Sequence, residues 1–173
     1  MSIQEHTFTA NQDLLLSEIR RLFVDSFYDY YQLIESELNR PQDERLTSWL
    51  DKVFDHVQND LLTNQSRIFL MRDESLTLIG LLIVKQVSKH VIYIAQLAIH
   101  PLFKRQGYGS LFMSHLRATF GPTVTYEVLT RRVNKPAVDF YARYGAQVID
   151  DKQIVVYGYD PQDFIGFRLT HVD

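Results

Sequence analysis

The chain has 173 residues, 46% hydrophobic and 23% charged, with a formal net charge of −3. That length and apolar content suit one domain with a real core and exclude a disordered chain, and the slight acidity means that any phosphate site must be local. The absence of cysteine excludes disulfides, thiolate metal sites and a cysteine nucleophile together.

The opening MSIQEHTFTANQD carries neither a basic nor an apolar region of a secretory leader. The longest apolar run, Leu76 to Val84, is interrupted by Thr77 and Gly80 and is too short to cross a membrane. A soluble cytoplasmic protein with no membrane or nucleic-acid partner is the expectation.

From Gln12 to Ile34, Leu16, Ile19, Phe23, Phe27 and Tyr30 fall at intervals of three and four, which predicts one amphipathic helix or two joined by a kink. The aromatic stretch Phe23 to Tyr31 with Asp25 and Asp29 reads as a helix packed on a sheet; its sharper reading is a wall whose aspartates attract a cationic amine. Pro41 breaks the chain, and Leu46, Trp49, Leu50, Val53, Phe54, Val57 and Leu61 form a second helical stripe. Ser66 to Met71 and Leu76 to Val87 read as strands of a hairpin around Arg72 to Ser75. After a break at Ser88 to His90, Ile92, Ile94, Leu97 and Ile99 alternate in a buried strand that stops at His100-Pro101.

The segment KRQGYGS, Lys104 to Ser110, then precedes a helix from Ser110 to Phe120. Gly107 and Gly109, two residues apart before a helix, expose backbone N–H groups at the positive end of the helix dipole, where phosphate oxygens bind. Taken alone, such a pair is more often an ordinary tight turn. Gly121-Pro122 ends that helix, and Thr123 to Thr130 reads as a strand. Pro136 to Tyr144 is a short helix with proline in its first turn and Gly145 at its stop. Ala146 to Ile149, Ile154 to Tyr159 and Phe164 to Thr170 supply closing strands. Without repeats, low-complexity tracts or a linker, residues 1–173 form one α+β domain with a mixed sheet in this reading.

The segment after Thr130 contains Asn134, Ala137, Phe140, Tyr141 and Gly145 in the spacing N-x-x-A-x-x-F-Y-x-x-x-G. This resembles the motif after the fifth strand of the GNAT acetyltransferase superfamily. The strand ending in proline and the glycine loop resemble the same superfamily's acetyl-CoA-binding motif, and the order of elements is also similar. The resemblance is sharp from about Ile94 to Ala146. One departure is Lys104, where the family usually has Gln or Arg; Arg105 and Gln106 follow it.

The resemblance implies a GNAT fold and an N-acetyltransferase that moves an acetyl group from acetyl-CoA, without a metal, to a primary amine of a small molecule or protein. Lys104, Arg105, Gln106, Gly107, Tyr108, Gly109 and Ser110 would hold the pyrophosphate, mainly by backbone amides. Leu97, Ala98 and Ile99 would pair with the pantetheine arm, with the N–H of Leu97 or Ala98 as oxyanion donor. Asn134 would contact the pantetheine amides, and Phe140 lies in the same motif. Tyr141 would be the general acid, against the alternative of a core tyrosine on an amphipathic helix. Relatives that acetylate protein N-termini carry Leu-Glu-Val on the fifth strand with the glutamate as base. Tyr126-Glu127-Val128 is similar, but lies two residues farther from Asn134, and counting without a gap puts Leu129 there. Glu127 and Leu129 share a strand face about 7 Å apart, so a longer loop or a water restores Glu127 as base. His100 and Tyr93 are weaker candidates. Arg131, Arg132, Lys135 and Arg143 read as solvent-facing charges. A rival from another class is an acyl-CoA-sensing module that kept the fold and lost turnover; an acyl-carrier-protein-using relative would need fewer phosphate contacts. The acceptor, the pathway and the oligomeric state, a homodimer included, stay open.

Overall fold

The computed structural model describes residues 1–8, 12–38 and 44–170; the break at Pro41 falls outside them. The chain gathers into two compact units, residues 1–83 with 96–109 and residues 84–95 with 110–173.

In the first unit, strand β1 (Ser2–His6) pairs antiparallel with β2 (Arg67–Arg72), from Ser2↔Arg72 to His6↔Ile68. Helix α1 (Asp13–Leu33) is continuous and buries Leu16, Ile19, Leu22 and Phe23 along one stripe, as the three-and-four spacing requires. Helix α2 (Leu46–Leu62) buries Leu46, Leu50, Phe54 and Leu61. The two helices meet at Phe23 and Phe54, whose ring centroids are 5.3 Å apart. Arg20 lies over the Phe54 ring at 4.9 Å and donates to Asp55 at 2.6 Å, which fixes their register. Glu18 of α1 accepts a two-pronged contact from Arg72 of β2 at 2.8 and 2.7 Å. The hairpin from β2 to β3 (Leu78–Ser88) turns on Asp73, whose carboxylate accepts from the N–H groups of Ser75 and Thr77, each at 2.9 Å.

The second unit is built on β5 (Thr125–Arg131). Strand β4 (Val91–Ile99) pairs with it in parallel from Val91↔Thr125 to Ile94↔Val128. Helix α3 (Tyr108–Phe120) lies between them in the chain, as a parallel pair demands. On its other side β5 pairs antiparallel with β7 (Phe164–Leu169), from Tyr126↔Leu169 to Arg131↔Phe164, and β7 pairs with the short β6 (Gln147–Val148). Helix α4 (Lys135–Ala142) follows β5, and α5 (Asp151–Val156) follows β6. Hydrogen bonds order the strands β1-β2-β3-β4-β5-β7-β6, a mixed sheet flanked by helices, which makes the fold α+β as the sequence implies.

One local expectation is corrected, and one element appears for which none was stated. Ile154 to Tyr159 is not a strand: residues 151–156 form α5, because Asp150 caps the turn by accepting from the Gln153 N–H at 2.9 Å. Only Ile154 is buried there, while Val155 and Val156 face solvent, so the β-branched run has no second strand face to fill. Strand β1 was not anticipated. Its burial pattern has only two half-buried positions, and pairing with β2 rather than its own alternation makes it a strand.

Tyr126 of β5 is fully buried and donates its hydroxyl to the Leu116 carbonyl of α3 at 3.1 Å; burial pushes its phenol up to about 12. The unfolded phenol ionises near 10, so this contribution to stability is intact below about pH 10 and lost as pH rises through about 12. Tyr126→Phe should cost about 0.5–1.5 kcal/mol at neutral pH and flatten the alkaline loss. Urea unfolding at neutral pH and near pH 11 reads both effects.

Candidate active site

In the first unit Leu97, Ala98 and Ile99 end β4, with Ala98 buried and its neighbours half-buried. The chain passes through a single 3₁₀ turn, Pro101–Phe103, which His100 caps by accepting from the Leu102 N–H at 3.3 Å. That contact commits one nitrogen of a ring considered as a base. The glycine loop follows. Lys104 reaches α1 and donates to the Ser26 carbonyl at 3.1 Å. Where the family usually has Gln or Arg, the lysine therefore ties the loop to a helix. Gln106 donates back to the Leu102 carbonyl at 3.1 Å. Arg105 and Gly107 have φ of +65° and +87°, so the chain turns through two left-handed residues before α3 starts at Tyr108. Gly109 and Ser110 lie in the first helical turn, whose N–H groups have no intrahelical partner.

A Cβ on Gly107 would meet nothing within 4 Å. Gly107→Ala should therefore cost only the left-handed strain, about 1–2 kcal/mol, with no clash. Thermal denaturation of the variant checks this; a larger loss would mean that the loop is packed more tightly than its geometry indicates.

In the second unit Asn134 caps α4, its side chain accepting from the Ala137 N–H at 3.4 Å, with Pro136 in the first turn. The cap orients a helix of 8 residues so that Tyr141 points inward, 5% exposed. Its ring packs on Phe140 at 5.1 Å and on Phe167 of β7 at 6.0 Å. Burial, and secondarily the phenol of Tyr144, raises Tyr141 far above the usual tyrosine range. Gly145, at φ +65°, ends the segment. Asn134, Phe140 and Tyr141 are thus brought together on one helix.

Glu127 sits on β5, 2% exposed, with both oxygens engaged. Arg168, opposite it in the β5–β7 register, donates Nε at 2.8 Å and Nη2 at 2.6 Å to Oε1. Tyr157, the residue after α5, donates its hydroxyl to Oε2 at 2.5 Å. The Tyr157 ring stacks on Tyr93 of β4, at 4.6 Å and 20° between planes, and Tyr93 is itself the register partner of Glu127. Tyr93 is raised strongly by burial first, then by the neighbouring phenols of Tyr159 and Tyr157. Tyr157 is raised as well, by burial first and then by the hydrogen bond to Glu127.

Sequence reasoning missed Tyr157 and Arg168. Arg168 had a readable signal, a cation alternating with buried Phe167 and Leu169 in a strand. Tyr157 had none, because it depends on α5. Among the described residues, no group of three or more His, Asp or Glu could hold a metal ion, and no helix is long and apolar enough to cross a membrane.

Residues 17–146 match the sequence model of the acetyltransferase (GNAT) family. The chain belongs to the GNAT acetyltransferase family. A sequence comparison with curated proteins returns no match. Among solved structures the chain is similar to the PaiA N-acetyltransferase of Thermoplasma acidophilum in complex with coenzyme A, at TM-score 0.72 and 18% identity, covering 99% of this chain and 100% of that one. It is also similar to the ribosomal-protein-alanine N-acetyltransferase of Escherichia coli, at 0.57 and 14%, covering 97% and 93%. A GNAT family acetyltransferase of Elizabethkingia anophelis with acetyl-CoA bound gives 0.57 and 14%, covering 96% and 97%. At these identities the likeness carries the fold. The GNAT match takes in the glycine loop, Glu127, Asn134 and Tyr141; Tyr157 and Arg168 lie beyond it.

Proposed function

We propose that residues 1–173 act as one acetyltransferase domain in the cytoplasm, transferring an acetyl group from acetyl-CoA to a primary amine of a small molecule or protein by direct attack. Coenzyme A or acetyl-CoA accompanies two of the similar structures, and the loop suits its phosphates. Residues 104–107 are exposed, Gly107 leaves open space, and the first-turn amides of α3 are available to oxygen acceptors. Leu97, Ala98 and Ile99 would pair with the pantetheine arm, and the β4–β5 ladder supports this by ending at Ile94, before the strand does. The N–H of Leu97 or Ala98 would receive the oxyanion. Asn134 and Phe140 would line the same arm.

The observation that carries the reading is Tyr141, a buried phenol seven residues after Asn134 that keeps its proton throughout the working pH range. A strongly held proton suits this role when the leaving thiolate is also desolvated, because burial raises the thiol along with the phenol. Tyr141 would donate to the sulfur as the C–S bond breaks, and Glu127 would take the acceptor's proton.

Tyr141→Phe keeps the ring and its packing. It should lower kcat roughly 10²–10⁴-fold while leaving acetyl-CoA affinity unchanged. In the parent, kcat should show no alkaline fall from this group up to about pH 10, since its proton affinity is raised. Gly107→Glu, which adds bulk and negative charge to the loop, should abolish acetyl-CoA binding in a folded protein. A phenylalanine variant that turns over like the parent would make Tyr141 a packing residue. It would favour the second reading, an acyl-CoA-sensing module, for which the full engagement of Glu127 is the supporting observation.

A further inference from the structure

An acceptor amine cannot touch Glu127 as it stands. The residue is 2% exposed, Oε1 is forked by Arg168 and Oε2 is covered by Tyr157. Any proton that reaches this carboxylate must come through one of those two neighbours. The guanidinium of Arg168 has donors and no acceptor, so it cannot take up a proton and pass one on. The phenol of Tyr157 both donates and accepts, is half-buried rather than enclosed, and already points its proton at Oε2.

Its placement is fixed from three sides. The ring is stacked on Tyr93 at 4.6 Å, the hydroxyl is held by Glu127, and its own N–H closes α5 by donating to the Gln153 and Ile154 carbonyls. Ile154, 1% exposed, anchors that turn to the core. Among the described residues, Arg168, Tyr93 and Tyr159 also stand around the pair and the Gln153 side chain hydrogen-bonds Tyr157, and none of these is a base that competes for the proton. Arg168 is a permanent cation, and Tyr93 is a buried phenol that holds its proton tightly.

We propose that Tyr157 meets the acceptor amine and relays its proton to Glu127. This deepens the acetyl-transfer reading and rests on it. A neutral amine attacks the thioester carbonyl, so a C–N bond forms while the C=O pair moves onto oxygen. The nitrogen becomes positive and its N–H acidic. That proton passes to the oxygen of Tyr157 while the phenolic proton moves to Oε2 of Glu127, so one N–H bond and one O–H bond break and two O–H bonds form. No electrons are exchanged with any other group, and no free tyrosinate is made. The Arg168 cation, 44% exposed beside the site, repels an ammonium and so favours an amine that arrives neutral.

The test is thiol release from acetyl-CoA with n-propylamine, spermidine and an alanine-initiated peptide, followed with whichever amine turns over best. Tyr157→Phe keeps the stacked ring. It should lower kcat roughly 10²-fold, leave KM for acetyl-CoA unchanged and remove the acid limb of the pH profile. In mixtures of light and heavy water the parent's kcat should bow, since two protons move in one step, and the variant's should not. Glu127→Gln reads the same relay from its other end and covers a Tyr157→Phe protein that does not fold; the double variant should be no slower than the slower single one. A Tyr157→Phe or Glu127→Gln enzyme that retains the acid limb and the bowed dependence overturns the relay and leaves the acetyltransferase standing. A folded parent that acetylates none of the three amines overturns the function reading and the relay with it.

Discussion

The parallel pairing of β4 with β5 is the constraint from which most of the second unit follows. Two parallel strands cannot be joined by a hairpin, so the chain must leave the end of β4, cross over and return to the start of β5. Helix α3 makes the crossing, and Tyr126 of β5 pins it by donating to the carbonyl of Leu116. The glycine loop lies within that crossover, between the 3₁₀ turn that follows the strand and the first turn of the helix. Open space beside Gly107 and unpaired first-turn amides are thus products of topology, and the sequence needs only two glycines to use them. Lys104 contributes from the side by tying the loop to the Ser26 carbonyl.

A second constraint is the charge buried at Glu127. An ionised carboxylate taken out of water is costly unless its lone pairs are satisfied, and here every contact is charge-assisted or short. The β5–β7 register supplies Arg168 directly opposite, so a slip of one residue would send the guanidinium to the other face and leave the carboxylate with the Tyr157 hydroxyl but no cation. Such a pair contributes little net stability, since an apolar pair of the same size would pack without the desolvation cost. Its retention on a strand whose neighbours Tyr126 and Val128 are apolar core residues is more easily explained by chemistry than by folding.

Much of this was legible in the sequence where the signal is periodic or local. The stripes of α1 and α2 come from apolar spacing, and the glycine loop and the Asn134-to-Gly145 helix come from residue types fixed by backbone geometry. What was not legible depends on partners distant in the chain. Ser2 to His6 is a strand because Arg67 to Arg72 lies beside it. Residues 151–156 are helical because one aspartate caps a turn that buries one isoleucine, against the strand propensity of Val155 and Val156. Tyr157 depends on that helix for its place, since in a strand it would be one more alternating aromatic. Arg168 was visible as a residue but not as a partner, because register is set by pairing and not by either strand alone.

The two phenols nearest the proposed chemistry share a property that bears on how protons can move. Tyr141 and Tyr157 are both raised by burial, and the second also by the carboxylate it touches. Neither ionises near neutral pH, so neither can serve as a standing base. Each can act only while another group accepts or supplies a proton in the same event. For Tyr157 that group is already in contact, a carboxylate held by Arg168 at 2.6 Å. For Tyr141 it would be the departing sulfur, which exists as a strong acceptor only while the C–S bond is breaking. Tyr93, stacked on Tyr157, adds a third buried phenol beside the relay. Ionising Tyr157 would therefore set a negative charge against another buried hydroxyl in a poorly solvated setting, which penalises stepwise transfer and favours concerted transfer.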